Sequence, residues 1–214
     1  MSAATAQARR RAAVVRDQLV ATSRRRDLLL IGGVAVVLRA AWVIAYGRTV
    51  PGPNDTFSYL TTTLQLAHGH GFSLAPGVPT AHWPPGYPFV VSLLYRIFGD
   101  HPEAGLWLNV VLASATAVLL YLVADRMLGR LGGRIAGWTF AILPGPIFLT
   151  ALFLTETTYI FMLVGFVALA LFMPDRGWKP VALGVAAGLA ALTRGDGVLL
   201  VGIPLAMWLS LIHI

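Results

Sequence analysis

Apolar blocks of about 20 residues recur along this chain and restrict its fold more than any other feature. A helix of about 20 residues spans the roughly 30 Å hydrocarbon core of a bilayer. Hydrophobic residues make up 57% of the 214 positions and charged residues only 12%, which excludes an ordinary soluble domain. Inside a membrane, backbone polar groups need partners within the protein, and helices supply them. The sequence therefore predicts an all-α, polytopic transmembrane helical bundle.

The apolar runs and the residues that interrupt them predict about six spans. The first is longer than the apolar region of a typical signal peptide and lacks a convincing cleavage site, so we expect it to be retained. The third contains Pro144-Gly145-Pro146. These prolines must loosen the helix, either as a packing kink or as part of a cavity lining. The approximate ranges are 28–46, 105–128, 135–154, 157–173, 180–192 and 198–214.

The net charge of +7 comes from basic residues in the N-terminal tail and in alternate loops between the apolar blocks. This placement argues against a nucleic-acid partner. Residues 1–26 form a basic tail, and alternate loops are also basic, as cytoplasmic loops are in membrane proteins. We therefore expect a cytoplasmic N-terminus, a transmembrane module over 27–214 and an outer loop over 48–103. The Arg-, Ala- and Gly-rich composition suggests a bacterial protein, located in the cell (inner) membrane. The basic positions between later spans are Arg126, Arg130, Arg134, Arg176 and Lys179.

The outer loop is predicted to contain two interfacial amphipathic helices. Phe57, Leu60 and Leu64 recur at helical spacing, with polar residues on the other faces. A second short helix should begin at Pro88, whose fixed φ suits the first helical position, and continue to Phe98. The rigid turn before it directs this apolar segment towards the interface. A loop built in this way is a candidate site for water-dependent chemistry.

Two carboxylates at the predicted outer side and one arginine within the first span stand out. Asp55 begins the first loop helix, where Asn54 or Asp55 could also act as a helix N-cap. Glu156 begins the fourth span, where a carboxylate also favours the helix N-terminus. Arg39 lies inside the first span, a costly position that indicates either a functional role or a structural pair with a carboxylate.

No metal site is predicted. Cysteine is absent, which excludes disulfides and thiolate ligands. His68, His70 and His82 share the outer loop, but the spacing of the first two does not place both rings on one helical face. We expect ordinary loop histidines.

An arginine in the first helix is followed in order by the segments Asn54–Tyr59, Gly69–Phe72, Pro79–Pro88, Leu154–Thr157 and Ala191–Arg194. Together, these segments resemble the N-terminal half of the GT-C membrane glycosyltransferases, which include protein O-mannosyltransferases and aminoarabinose transferases. The resemblance covers residues 28–208 and starts with an arginine in the first helix. Relatives generally continue with more transmembrane helices, so we expect this chain to be an N-terminal fragment.

This resemblance implies transfer of a hexosyl or pentosyl group from a polyprenyl-phosphate donor to a lipid, glycan or protein acceptor on the outer face. It makes Asp55 the general base and Glu156 a second acidic residue that orients the acceptor or helps to hold a divalent cation. Arg39 and Arg194 would hold the donor phosphate, since guanidinium groups suit phosphate oxygens. The remaining candidate substrate-contacting residues are Asn54, Tyr59, His82, Trp83 and Tyr87.

Two other classes of function are consistent with parts of the sequence. A multi-pass transporter would use Pro144-Gly145-Pro146 and the short fifth span as broken helices around a midplane substrate site. It predicts an internal repeat, and we find none. A non-enzymatic scaffold has no need for Asp55 and Glu156 to face one cavity, so the positions of these carboxylates distinguish it from an enzyme.

Overall fold

The computed structural model describes the backbone of residues 3–47 and 54–212, and side chains for residues 23–47, 55–206 and 209. Most of these residues are helical, so the chain is nearly all-α, as predicted. One short antiparallel hairpin, which was not predicted, pairs β1 (Ser73–Ala75) with β2 (Val78–Pro79). A 3₁₀ helix covers Gly195–Val201. The α-helices are α1 Ala3–Tyr46, α2 Asn54–Ala67, α3 Gly86–Phe98, α4 Glu103–Ile142, α5 Pro144–Leu149, α6 Glu156–Phe172, α7 Lys179–Thr193 and α8 Gly202–Ile212.

Two segments are long and apolar enough to cross a membrane by length and composition, Ser23–Tyr46 and Glu103–Ile142. Helix α1 extends back to Ala3, so the backbone of the basic tail continues the first predicted span. Shorter apolar helices cover most of the later predicted spans. The number of crossings stays a prediction.

Helix α4 contains the second predicted span and the start of the third. Gly129 interrupts it with φ 79°, a conformation that glycine adopts without a side-chain penalty. The chain reverses there: a Cβ at Gly137 would lie 2.9 Å from Tyr121 Cβ and 3.0 Å from Ile31 Cδ1. The two halves of α4 therefore pack closely against each other and against α1.

One end of this bundle, which we call the arginine end, is held by ion pairs. Arg24 lies 3.1 Å from Asp125, and Arg134 donates to Asp27 at 2.9 Å. The Tyr121 hydroxyl also donates to Asp27 at 3.3 Å. Basic residues preceding the first span and following the second therefore meet at one end, as expected if both are on the same side of a membrane.

The helix of the predicted third span ends at Ile142, just before the Pro144-Gly145-Pro146 motif. The backbone at Leu143 is extended, α5 then runs for only six residues, and residues 150–155 are not helical. The proline-rich motif explains this break, because Pro144 has no N–H for the Phe140 carbonyl. The fully buried Arg39 guanidinium donates instead, to Phe140 O at 2.8 Å and to Ala141 O at 2.9 Å.

At the opposite end, which we call the loop end, α2 and α3 pack together above the start of α4 and the segment before α6. Both loop helices were predicted, and α3 begins two residues before Pro88. Arg96 of α3 donates to Leu66 O at 2.6 Å and to Ala67 O at 3.2 Å, which satisfies the last carbonyls of α2. The core of this layer contains Tyr59, Tyr87, Val91, Tyr95, Leu152, Phe153 and Leu154.

Candidate functional site

An open cavity of about 320 Å³ lies at the loop end. Four separate parts of the chain form its walls: the start of α2, the turn before α3, the start of α6 and the segment that follows α7. Most of the residues predicted for the site meet here. The lining consists of Asp55, Tyr59, His82, Trp83, Pro84, Leu154, Thr155, Glu156, Arg194, Gly195 and Asp196.

Arg194 is held between two carboxylates on one side of the cavity. Its Nη1 donates to Glu156 Oε1 at 2.8 Å, and its Nε lies 3.6 Å from Asp196 Oδ2. The guanidinium also lies over the Tyr159 ring, with Cζ 5.8 Å from the ring centroid. A guanidinium held in this way is oriented in advance to bind an anion with its remaining N–H groups.

The local backbone explains how Arg194 reaches the cavity. Helix α7 ends at Thr193, and Arg194 is extended, with φ −147° and ψ 140°. The chain then returns against α7 at Gly197, where a Cβ would lie 2.4 Å from Ala190 C. Only glycine fits this approach, so the 195–197 segment is held close to the end of α7.

Glu156 is the first residue of α6, where the helix N-terminus favours a negative charge. Its Oε1 accepts from Arg194, whereas its Oε2 is buried without a hydrogen-bond partner among the described residues. This position agrees both with a charge that stabilises the helix N-terminus and with a carboxylate that takes part in the site. The second oxygen is enclosed by protein atoms, so the carboxylate acts on the cavity through Arg194.

Asp55 is half-buried on the opposite wall. Helix α2 begins at Asn54, so Asp55 is the second helical residue and not the N-cap. Within the described part of the chain, its carboxylate has no hydrogen bond or ion pair. A carboxylate with free lone pairs in a cavity can accept a proton from a bound hydroxyl group. The side chain of Asn54 lies outside the described residues.

An aromatic wall completes the cavity. The Tyr59 and Trp83 rings lie 5.7 Å apart, and the Trp83 and His82 rings lie 4.5 Å apart, edge to face. Burial raises the pKa of the Tyr59 phenol, and the charges of Asp55 and Glu156 raise it further, against opposing effects of Thr155 and Arg194. Tyr59 is therefore a proton-bearing donor at neutral pH.

Two predicted residues do not line the cavity. Tyr87 is fully buried behind Tyr59, with ring centroids 6.2 Å apart, so it supports the wall and does not face a substrate. Arg39 is bonded to the α4 carbonyls and to Ala35 O at 3.2 Å. Its expected roles, as a phosphate ligand or in a pair with a carboxylate, have no support in this geometry.

Of the three loop histidines considered for a metal site, two lie outside the cavity. His68 bonds to Asp100 at 2.7 Å and His70 to Gln65 at 2.8 Å, both outside the cavity. Among the described residues, no group of three or more His, Asp or Glu side chains is arranged to hold a metal ion. Asp196 was not proposed for the site, although it lies two residues after Arg194.

The family model described as dolichyl-phosphate-mannose-protein mannosyltransferase matches residues 82–213. The chain belongs to this family. Family members are membrane-embedded glycosyltransferases that use a polyprenyl-phosphate sugar donor, which agrees with the resemblance found in the sequence. The match includes His82, Trp83, Glu156 and Arg194, and Asp55 precedes it. Searches of the curated proteins and of the solved structures gave no significant match.

Proposed function

We propose that this mannosyltransferase-family protein moves a sugar from a polyprenyl-phosphate donor to an acceptor on the outer face of the membrane. The observation that carries the proposal is that Asp55 and Glu156, far apart in the sequence, line one cavity with Arg194. A scaffold has no need for this convergence. A transporter would place its charged residues near the middle of the spans, whereas these residues lie at the loop end.

Asp55 is the general base in this proposal. Its carboxylate faces the cavity from the first turn of α2 and has no competing partner within the described residues. As the acceptor hydroxyl attacks the sugar carbon, the proton of that hydroxyl passes to Asp55, and the bond from the sugar to the phosphate oxygen breaks. The products are the glycosylated acceptor and the free polyprenyl phosphate.

Arg194 binds the donor phosphate and stabilises the charge that grows on it as this bond breaks. Glu156 and Asp196 orient the guanidinium through the contacts at 2.8 and 3.6 Å. Glu156 acts here by orienting Arg194, since its second oxygen is enclosed by protein atoms. The aromatic wall of Tyr59, Trp83 and His82 offers apolar surface for the sugar ring.

The loop end would face the outside of the cell, and the arginine end the cytoplasm. The basic residues that gather around Asp27 and Asp125 support this orientation through the positive-inside rule. We place the protein in a bacterial cell membrane. The acceptor, whether lipid, glycan or protein, would enter the cavity from its open side.

The test is Asp55→Asn, measured in the longest natural chain that contains these 214 residues. This change keeps side-chain size but removes the base, so sugar transfer should fall by about 10² to 10⁴-fold with little change in thermal stability. Asp100→Asn, which changes an exposed loop carboxylate outside the cavity, is the matched control. Near-normal transfer by Asp55→Asn would remove Asp55 from the mechanism.

A further inference from the structure

Asn109 is a buried amide in the apolar first half of α4, and its role was not apparent from the sequence. Its side chain is fully buried. A buried amide costs free energy unless it is hydrogen-bonded. Asn109 Nδ2 donates to Leu152 O at 2.9 Å, a contact to a part of the chain more than 40 residues away.

Leu152 lies in residues 150–155, the buried, non-helical segment between α5 and α6. Carbonyls in such a segment lack the regular partners of a helix and need other donors. The Leu152 carbonyl accepts from both Asn109 and the Leu154 N–H, the latter at 3.0 Å. This double contact fixes the backbone immediately before the cavity wall.

Gly105 lies one turn before Asn109 and on the same face of α4. A Cβ at Gly105 would lie 2.4 Å from Phe153 Cε2, so only glycine allows the segment to pack this closely. The Phe153 ring then contacts Tyr87, with centroids 5.2 Å apart. Burial raises the pKa of the Tyr87 phenol, and the neighbouring Asn109 amide partly opposes that rise.

The next residues of the same segment belong to the cavity. Leu154 and Thr155 line it, and Glu156 follows them directly and bonds to Arg194. We propose that Asn109, assisted by Gly105, is a positioning residue that holds the 150–155 segment and thereby sets the place of Glu156 against Arg194. The effect of Asn109 on sugar transfer rests on the proposed function, whereas its effect on the position of residues 150–155 does not.

The absence of native cysteine permits a direct test of the segment. Thr155 is buried, with 1% of its surface exposed, so a single cysteine in Thr155→Cys should react slowly with a small water-soluble thiol reagent. Adding Asn109→Leu removes the amide and leaves the Leu152 carbonyl with one donor fewer. Labelling should become about tenfold faster or more, because the segment opens more often.

Thr116→Val is the matched control. Thr116 is also fully buried on α4, but its hydroxyl donates to Leu112 O of the same helix at 2.8 Å. It should leave labelling of Thr155→Cys within about twofold of the parent, since the hydrogen bond that it removes lies within α4. Should Asn109→Leu fail to accumulate, Asn109→Ser carries the same expectation, because serine is too short to reach Leu152.

Sugar transfer provides the second measurement. In the parent without the added cysteine, Asn109→Leu should lower kcat by about 10- to 100-fold through misplacement of Glu156, and Asn109→Gln, which keeps the amide, should restore part of it. Equal labelling rates in Asn109→Leu and Thr116→Val would overturn the positioning role. If Asn109→Leu speeds labelling but Glu156→Gln leaves transfer unchanged, the role of Asn109 in holding the segment is supported. The proposed role of Glu156 is then contradicted.

Discussion

Replacement of Arg39 by leucine tests whether this buried residue stabilises the C-terminal end of α4 or binds the donor. In the structure its guanidinium donates to Phe140 O, Ala141 O and Ala35 O at 2.8, 2.9 and 3.2 Å. Pro144 cannot donate to the Phe140 carbonyl, and the extended backbone at Leu143 ends the helical ladder. Arg39→Leu would therefore leave two carbonyls of α4 without these donors.

The expected cost follows from those contacts. Each buried carbonyl that loses its donor costs about 1–3 kcal/mol, and removal of the buried guanidinium returns part of its own desolvation cost, which leaves a net loss of roughly 2–4 kcal/mol. For a chain of this size, such a loss lowers Tm by roughly 5–15 °C. The donor KM of the folded fraction should not change, since Arg39 does not line the cavity.

The assay is thermal unfolding of the purified protein in detergent, together with donor titration of the transfer reaction. A second comparison uses Pro144→Ala, which restores an N–H near the Phe140 carbonyl. In that background Arg39→Leu should cost less, and the difference is the coupling between the two residues. An unchanged Tm with a raised donor KM would refute this reasoning and return Arg39 to the phosphate-binding role that the resemblance implies.

Three further predictions concern the orientation, the packing and the pH response of the protein. Single cysteines in place of the exposed Val78 and Leu131 should react with an impermeant reagent from opposite sides of the membrane, and labelling of both from outside would contradict the topology. Gly86→Ala should lower Tm and transfer, because its Cβ would lie 2.7 Å from Leu192 O, whereas Gly165→Ala, which has open space, should not. Because burial raises the pKa of Tyr87, the folded protein keeps a proton that the unfolded chain releases near pH 10, so stability is full below about pH 10 and falls above it. Tyr87→Phe should reduce that alkaline loss in a series of unfolding measurements.

The loop helices show which parts of the fold were accessible from sequence. Helix α2 was predicted from the spacing of its apolar residues, and α3 from Pro88 and the turn before it, because both signals are local. The hairpin was missed since its strands have only three and two residues, too few to show an alternating pattern. The helix end at Ile142 was not predicted, because the apolar run continues through the prolines to Leu154.

The candidate site was predicted in part. The order of the motifs predicted Asp55, Glu156 and Arg194 as site residues, and these three line one cavity. Asn109 was missed because its partner is a backbone carbonyl, which no sequence pattern reveals. The same limit applies to Arg39. Its charge suggested a carboxylate or phosphate partner, whereas in the structure it binds backbone carbonyls at the helix end before Pro144.

If the protein transfers a sugar from a polyprenyl-phosphate donor, cleavage of the bond between sugar and phosphate is the most direct quantity to measure. Proteoliposomes would receive a donor labelled in its sugar and a membrane extract that supplies acceptors, and free polyprenyl phosphate and acceptor-bound label would both be quantified. We predict equal amounts of both products in the parent and a loss of both in Arg194→Gln, with transfer retained in the exposed control Arg176→Gln. Movement of intact donor or free sugar across the membrane without release of polyprenyl phosphate would contradict the account and favour a transporter.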